Sequence, residues 1–356
     1  MDIMRRFGHR SEEVIKRSTY EERIESMGVS LSNSLEHKAE TILTDFKIDP
    51  SGLITGDSNV PSSVKNPVLP PVKEKSEVID KIMEYNHGRN IATKVKHGKR
   101  TDNLEASSDC VCYVSVDDIL VKSQKGSRNK TGKKNRKFVS NTVIHIQYKE
   151  YSYTLTTTSK EKAMKLLIAF LLYNHLLEDT RLIFFSDGAT SIRDDIQKYF
   201  SFREYTLILD WFHLENKCSQ FLSMGVKGGK EERQTIRKEL AAILWAGNVE
   251  EAKSYIKGIH KKNIKNQKQL EELVAYLDRK SPYIACYAIR KEFGLRNSSN
   301  LVEKDNDRVV AMRQKKKGMS WSNLGSSALA VITAADICGE LDNWIYKKDI
   351  VYKMAC

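Results

Sequence analysis

The sequence predicts an α/β protein: a mixed five-stranded sheet flanked by helices, interrupted by an all-α insertion and preceded by a small helical region. Three observations lead there. Five segments carry strand patterning in the order βββαβαβ, which requires a mixed sheet with helices packed on it. From Glu215 to about Arg279 the apolar period is helical throughout, with no strand signal. The 356 residues, 40 % of them apolar, suffice for two or three domains at about 150 residues each, every one with its own core.

Residues 1–48 form the N-terminal region. Tyr20 to Met27 reads as a short helix, Gly28-Val29-Ser30 as a turn, and Asn33 to Leu43 as a second helix with Leu35, Ala39, Ile42 and Leu43 on one face. This is the outline of a helix-turn-helix DNA-binding region, with Asn33, Ser34, His37 and Lys38 turned toward a groove, although any helical hairpin gives the same pattern. Residues 49–76 hold five of the six prolines (Pro50, Pro61, Pro67, Pro70 and Pro71) and read as a linker.

The first part of the sheet domain spans 77–214. Ser76 to Tyr85 reads as a helix, and Cys110 to Leu120 has the β-branched density of a central strand. Lys137 to Tyr148 and Tyr151 to Thr158 alternate around Lys149 and Glu150 as a hairpin. An apolar helix follows from Ser159 to Glu178, then a strand from Arg181 to Ser186, a helix from Ser191 to Phe200 and a strand from Tyr205 to Leu209. Residues 215–283 are the helical insertion, with Leu240, Ile243, Leu244, Ala252, Ile256, Leu270, Leu273, Val274 and Leu277 as its core. Residues 284–356 return to the sheet domain with helices over about Ser299 to Gln314 and Ser326 to Trp344.

The charge narrows the partners. Lys and Arg total 59 against 46 Asp and Glu, a net +13, which favours a polyanion, nucleic acid before an acidic membrane surface. The six cysteines include no Cys-x-x-Cys pair, which argues against structural zinc and disulfides. The apolar run from Leu166 to Tyr173 is far short of the roughly 20 residues a bilayer requires, and no apolar stretch follows the N-terminal charges. A reduced cytoplasmic setting is expected.

Acidic residues at strand ends are where an α/β sheet carries chemistry. Asp117 ends the first strand and Asp187 the fourth; in this strand order the two strands are neighbours. Two such carboxylates repel and call for a cation between them, and a hard ion such as Mg²⁺ or Mn²⁺ fits. The plain alternative is that Asp187-Gly188 is only a turn. A third carboxylate is expected from an adjacent helix, and Glu303 is the candidate because Lys304, Arg308, Arg313, Lys315, Lys316 and Lys317 follow it as a basic face suited to phosphates.

Four segments carry a resemblance. Tyr113-Val114-Ser115-Val116-Asp117, Phe184-Phe185-Ser186-Asp187-Gly188-Ala189 and Leu209-Asp210-Trp211-Phe212-His213 are three of them. The fourth is Val302-Glu303-Lys304 with the following Arg313-Gln314-Lys315-Lys316-Lys317-Gly318-Met319-Ser320-Trp321-Ser322. Over roughly Asp109 to Trp344 the chain resembles DDE transposases of bacterial insertion sequences, most of all the Mutator-like group. The resemblance implies a ribonuclease H-like core in which Asp117, Asp187 and Glu303 are the catalytic, metal-binding triad, with Asp118 as fallback for Asp117. Asp210 and His213 match an accessory pair, and the long interval between Asp187 and Glu303 matches a helical insertion. It further implies two Mg²⁺ or Mn²⁺ ions, DNA (element ends and target) as partner, and a homo-oligomer in the bacterial nucleoid, without membrane or small-molecule cofactor. Family members are often longer at the N-terminus, and no motif distinguishes a cut-and-paste from a copying pathway.

The densest basic run, between the first two strands, contains Lys122, Lys125, Arg128, Lys130, Lys133, Lys134, Arg136 and Lys137 and is expected to contact phosphates. Lys253 through Lys268 is a second basic stretch. Trp245 is expected in the core, and Trp321 either there or stacked on a splayed base. Two rival readings share these features: a ribonuclease H-like nuclease without strand transfer, and a DNA-binding protein without catalysis.

Overall fold

The computed structural model describes residues 17–46, 111–124, 138–316 and 318–354. The Pro-rich stretch, the helix expected over 76–85, Lys125 to Lys137 and Lys317 lie outside the described residues. β1 (Val111–Lys122) is buried over most of its length, as a central strand covered on both faces must be. β2 (Phe138–Tyr148) and β3 (Tyr151–Thr157) form the expected hairpin, with Lys149 at a φ of 53° in its turn. β4 (Arg181–Ser186) and β5 (Thr206–Leu209) run parallel to β1, whereas β2 is antiparallel to it. The order β3-β2-β1-β4-β5 is a mixed five-stranded sheet with ribonuclease H-like topology.

The helices, in chain order, are α1 (Arg17–Asp45), α2 (Lys160–Tyr173), the single turn α3 (Leu176–Asp179) and α4 (Thr190–Tyr199). Beyond β5 come α5 (Trp211–Gly225), α6 (Lys230–Trp245), α7 (Val249–Lys257), α8 (Gln267–Lys280) and α9 (Tyr287–Glu292). The chain then returns to the sheet with α10 (Asn300–Asp305), a π turn (Asn306–Ala311), α11 (Met312–Gln314), α12 (Asn323–Ile337) and α13 (Glu340–Lys347). The helix expected over 326–344 is two, because Gly339 takes a φ of 72° between α12 and α13. No single helix among the described residues is long and apolar enough to cross a membrane.

Alternation along β1 separates two cores. Cys112, Val114 and Val116, with Leu182 and Phe184, pack on Leu167 and Phe170 of α2 and on Ile192 and Ile196 of α4. On the opposite face, Val111, Ile183 and Phe185 join the core of α5 to α8, where Leu240, Leu244, Ala252, Ile256, Leu270, Leu273 and Leu277 are buried. Further along that face, Ile119, Val121 and Val143 pack under Val302, Val309 and Val310.

The N-terminal expectation is corrected. α1 is one helix of 29 residues that runs unbroken through Gly28, Val29 and Ser30, so there is no helix-turn-helix there. Leu31, Leu35, Ala39, Ile42 and Leu43 are buried against the sheet domain, Ser34 Oγ accepts from Trp344 Nε1 at 3.0 Å, and Lys38 Nζ lies 3.9 Å from Asp349. Two of the four residues assigned to a DNA groove thus face the protein itself. The glycine that reads locally as a helix breaker serves a long-range contact, since a Cβ at Gly28 would lie 2.4 Å from Ala328 of α12. Gly28→Ala is therefore expected to destabilise by roughly 1–3 kcal/mol through overpacking, measured by chemical unfolding. A glycine in a solvent-facing helix would give the opposite sign, a gain of about 1 kcal/mol.

Candidate active site

The parallel ladder between β1 and β4 fixes the centre of the site. Its last recorded pair is Ser115 with Phe185, and two residues beyond, on the same face, stand Asp117 and Asp187. Both acids therefore emerge at one level just past the parallel ladder: Asp187 follows the last residue of β4, whereas Asp117 lies within β1, which runs on to Lys122 paired with β2, so the expectation that Asp117 ends its strand is corrected. Asp117 Oδ1 accepts from the Asp118 backbone N–H at 2.8 Å and Oδ2 from Asn306 Nδ2 at 2.6 Å. Burial, and then the negative charge of Asp187, push the Asp117 carboxyl up to about 6. Asp187 Oδ1 accepts from the Ala189 backbone N–H at 2.7 Å while Gly188 takes a φ of 91°. A Cβ at Gly188 would lie 2.9 Å from Leu209 Cδ1, so the turn demands glycine on two counts. Asp187-Gly188 is a turn and a charged strand end at once.

Asp118 is pointed away from this centre by the same alternation. Its carboxylate accepts from Thr142 Oγ1 at 2.7 Å and pairs with Lys160 Nζ at 2.8 Å on the α2 side of the sheet.

Glu303 arrives through two contacts made by the segment that opens α5. Asp210, fully buried, caps α5 by accepting the His213 backbone N–H at 2.9 Å. Its second oxygen accepts the backbone N–H of Ser299 and, at 2.9 Å, Ser299 Oγ, which ties the start of α5 to the start of α10. The His213 ring is then not held by Asp210; its Nε2 meets Glu303 Oε1 at 3.0 Å. His213 also acts electrostatically on Asp117, opposing the rise of its carboxyl.

The next turn of the same helix is held from below. Asp305 Oδ2 accepts from Thr154 Oγ1 at 2.5 Å and sits 2.7 Å from His145 Nδ1, both residues rising from the sheet. The π turn begins immediately after, and its first residue is the Asn306 that reaches Asp117. The Asn306 Oδ1 atom is buried and has no hydrogen-bond partner among the described residues.

Asp117, Asp187 and Glu303 offer only hard oxygen donors, and the raised Asp117 marks negative charge left uncompensated beside an unpartnered amide oxygen. That set fits a divalent cation such as Mg²⁺ or Mn²⁺. Among the described residues no three His, Cys, Asp or Glu side chains converge as a ready-made metal cage, and Glu303 is turned to His213.

A pH effect follows. In cation-free protein, between about pH 4 and 6, folded Asp117 holds a proton that the unfolded chain has released. Stability therefore falls as pH rises through that window, and remains lower above it. Asp117→Asn removes the cost, and a flipped Asn306 can accept from the new amide. The variant is expected to be more stable than the parent by about 2 kcal/mol at pH 7.5 and equal to it near pH 4, by urea unfolding in EDTA. A difference independent of pH would contradict this.

The expected phosphate contacts divide. Lys122, Arg308, Arg313, Lys315 and Lys316 are exposed, the last four on or just after the helical stretch that carries Glu303. The end of β1 is joined to the Trp321 segment by backbone bonds from Gln124 to Trp321 and from Trp321 to Lys122, at 2.8 and 2.9 Å. Two basic stretches thus start from one edge. Lys125, Arg128, Lys130, Lys133, Lys134, Arg136, Lys137 and Lys317 lie outside the described residues. Trp321 Nε1 donates to the Gln314 carbonyl at 3.1 Å, which holds its ring in place. Lys253 is neutralised by Glu250 and Asp278, at 2.6 and 2.5 Å.

Sequence reasoning missed Asn306, Asp305 with His145, and Lys280. Buried Lys280, at the end of α8, donates from Nζ to the Gly188 carbonyl at 2.7 Å, and burial lowers its pKa against the opposing pull of Asp187. Each is defined by a partner from 92 to 189 residues away, so no local pattern announces it.

A family model described as "Uncharacterised protein family (UPF0236)" matches residues 74–345. No curated protein is significantly similar to the chain. Among solved structures, the Drosophila P element transposase strand transfer complex is similar with a TM-score of 0.25 and 10 % identity, over 79 % of this chain and 75 % of that chain.

Proposed function

The chain belongs to the UPF0236 family, and we propose that it is a DDE-type transposase whose ribonuclease H-like core cleaves insertion-sequence ends and joins them to target DNA. The observation that carries this reading is the common level of Asp117, within β1, and Asp187, just past β4, with Glu303 held by His213, which acts electrostatically on Asp117.

The chemistry is in-line displacement at phosphorus. In cleavage, a water oxygen forms the new P–O bond, the bond from phosphorus to the DNA 3′-oxygen breaks, and a 3′-hydroxyl is released. The His213–Glu303 pair stands ready to accept the proton that water gives up. In joining, that 3′-oxygen attacks a phosphodiester of the target, whose own 3′-oxygen leaves. One P–O bond forms as one breaks, so no external energy source is required. Mg²⁺ or Mn²⁺ held by Asp117, Asp187 and Glu303 would supply charge stabilisation at the phosphate and a more acidic nucleophile. Lys280, Lys122 and the basic residues that follow Glu303 supply positive charge for the DNA backbone. Two element ends must be joined together, so a homo-oligomer is part of the proposal.

The test is incubation of labelled DNA carrying the flanking element's ends with the protein and Mg²⁺, Mn²⁺ or EDTA. Joined products that require the cation are expected. Nicking without joining would make it a nuclease using the same acids, and binding without either would make it a non-catalytic DNA-binding protein; either result contradicts a transposase.

A further inference from the structure

α5 and α6 form an open cleft of about 910 Å³ that the catalytic reading does not use. Its apolar side is formed by Trp211 and Trp245, whose ring centroids are 4.7 Å apart at 77°, with Tyr287 stacked behind Trp245 at 5.8 Å and 24°. Both indoles are only partly buried, so each keeps a surface toward the cleft. Its rim carries Arg233 and Lys238, which are exposed and make no ion pair among the described residues, unlike the adjacent Arg237, held by Glu215 at 3.0 Å. Ser219 also lines it, and its Oγ is buried without a hydrogen-bond partner.

An aromatic wall, an unpartnered hydroxyl and two free cations are the complement of a planar heterocycle bearing an anionic group. We propose that this cleft binds a nucleotide: the base against Trp211 and Trp245, a base-edge polar atom at Ser219, and the phosphate between Arg233 and Lys238. A volume in the range of small-molecule sites accommodates one such unit, with room for a neighbour. Trp211 lies two residues before His213 on α5 and so about 200° around the helix from it; a nucleotide held here lies across α5 from the His213–Glu303 pair, and α5 is the element the two sites share. For an occupant that is part of a DNA strand the inference rests on the DNA-processing reading above. An unpaired base of the bound DNA would then be the natural guest; a free mononucleotide has the same chemistry.

The experiment titrates the full chain into a short single-stranded oligonucleotide carrying one 2-aminopurine, whose fluorescence is quenched by stacking, and repeats the titration against competing AMP. Saturable quenching is expected. Arg233→Glu with Lys238→Glu, on the exposed rim, should weaken it about tenfold, and Trp245→Leu should abolish it while Trp245→Phe retains it. Asp187→Asn should quench as the parent does. Competition by AMP identifies a free-nucleotide site, and competition by unlabelled oligonucleotide alone identifies a strand site; both support the cleft. Absence of quenching, or quenching unaltered by the rim and Trp245 substitutions, overturns it. If DNA is cleaved but nothing is quenched, the cleft proposal alone fails; if quenching is seen without cleavage under any cation, the transposase reading alone fails.

Discussion

Asp187→Asn and Glu303→Gln are each expected to lower cation-dependent DNA cleavage by about 10³-fold or more while leaving the fold and DNA binding in place. The reason lies in what each amide preserves. An asparagine at 187 keeps an oxygen to accept the Ala189 backbone N–H, so the turn around Gly188 survives. A glutamine at 303 still reaches His213 Nε2. What disappears is one negative charge from the set that would hold the cation and orient the phosphate. Cleavage rates under single-turnover conditions, beside binding of the same DNA in EDTA, separate the two. A variant that cleaves at the parent's rate removes that residue from the site, and one that also loses binding would show the effect to be structural.

Asp210→Ala should have the largest effect on stability, a loss of roughly 3–5 kcal/mol. Asp210 is fully buried and accepts from three donors: the backbone N–H groups of His213 and Ser299 and the Ser299 hydroxyl. Alanine leaves all three without their partner and removes the N-cap of α5, itself worth about 1 kcal/mol. Because the same carboxylate ties α5 to α10, the substitution also frees His213 and Glu303 from their common frame. Cleavage should therefore fall in any Asp210→Ala protein that remains folded. Asp210→Asn, which keeps one acceptor for the cap, should cost clearly less. Thermal unfolding checks both, and equal stability of parent and Asp210→Ala would refute the bridging role.

Much of the sheet was legible because strand patterning is local. Alternation around Val114 and Val116, the short Lys149-Glu150 turn and the runs into Asp187 and Leu209 each declare themselves within a few residues. Asp187 followed from the same logic, since it stands where a strand pattern stops; Asp117 does not end its strand, because β1 runs on to Lys122 as the partner of β2, and its level with Asp187 comes from register. Alternation also separates Asp117 from Asp118, but which of them faces the site required knowing that Lys160 stands on the other side. Gly28 misled for the converse reason. Its low helix propensity is a local property, whereas its place is decided by α12, 300 residues away in sequence, against which only a residue without Cβ fits. The π turn was equally hidden: nothing in Asn306 to Ala311 departs from helical patterning, and the irregularity follows Asp305, which is held by His145 and Thr154 from below. Residues such as Lys280 and Asn306 enter the site only because the folded chain brings them there.

The proposed transposase chemistry requires Asp117, Asp187 and Glu303 to hold a divalent cation together. Calorimetric titration of Mn²⁺ into the full chain at pH 7.5, parent beside Asp117→Asn and Asp187→Asn, tests it most directly. Saturable binding by the parent is expected, accompanied by a rise in Tm as the charge at Asp117 is compensated, with loss of both in the two variants. Binding that persists unchanged in both variants, or no binding by the folded parent with or without element-end DNA, would contradict it.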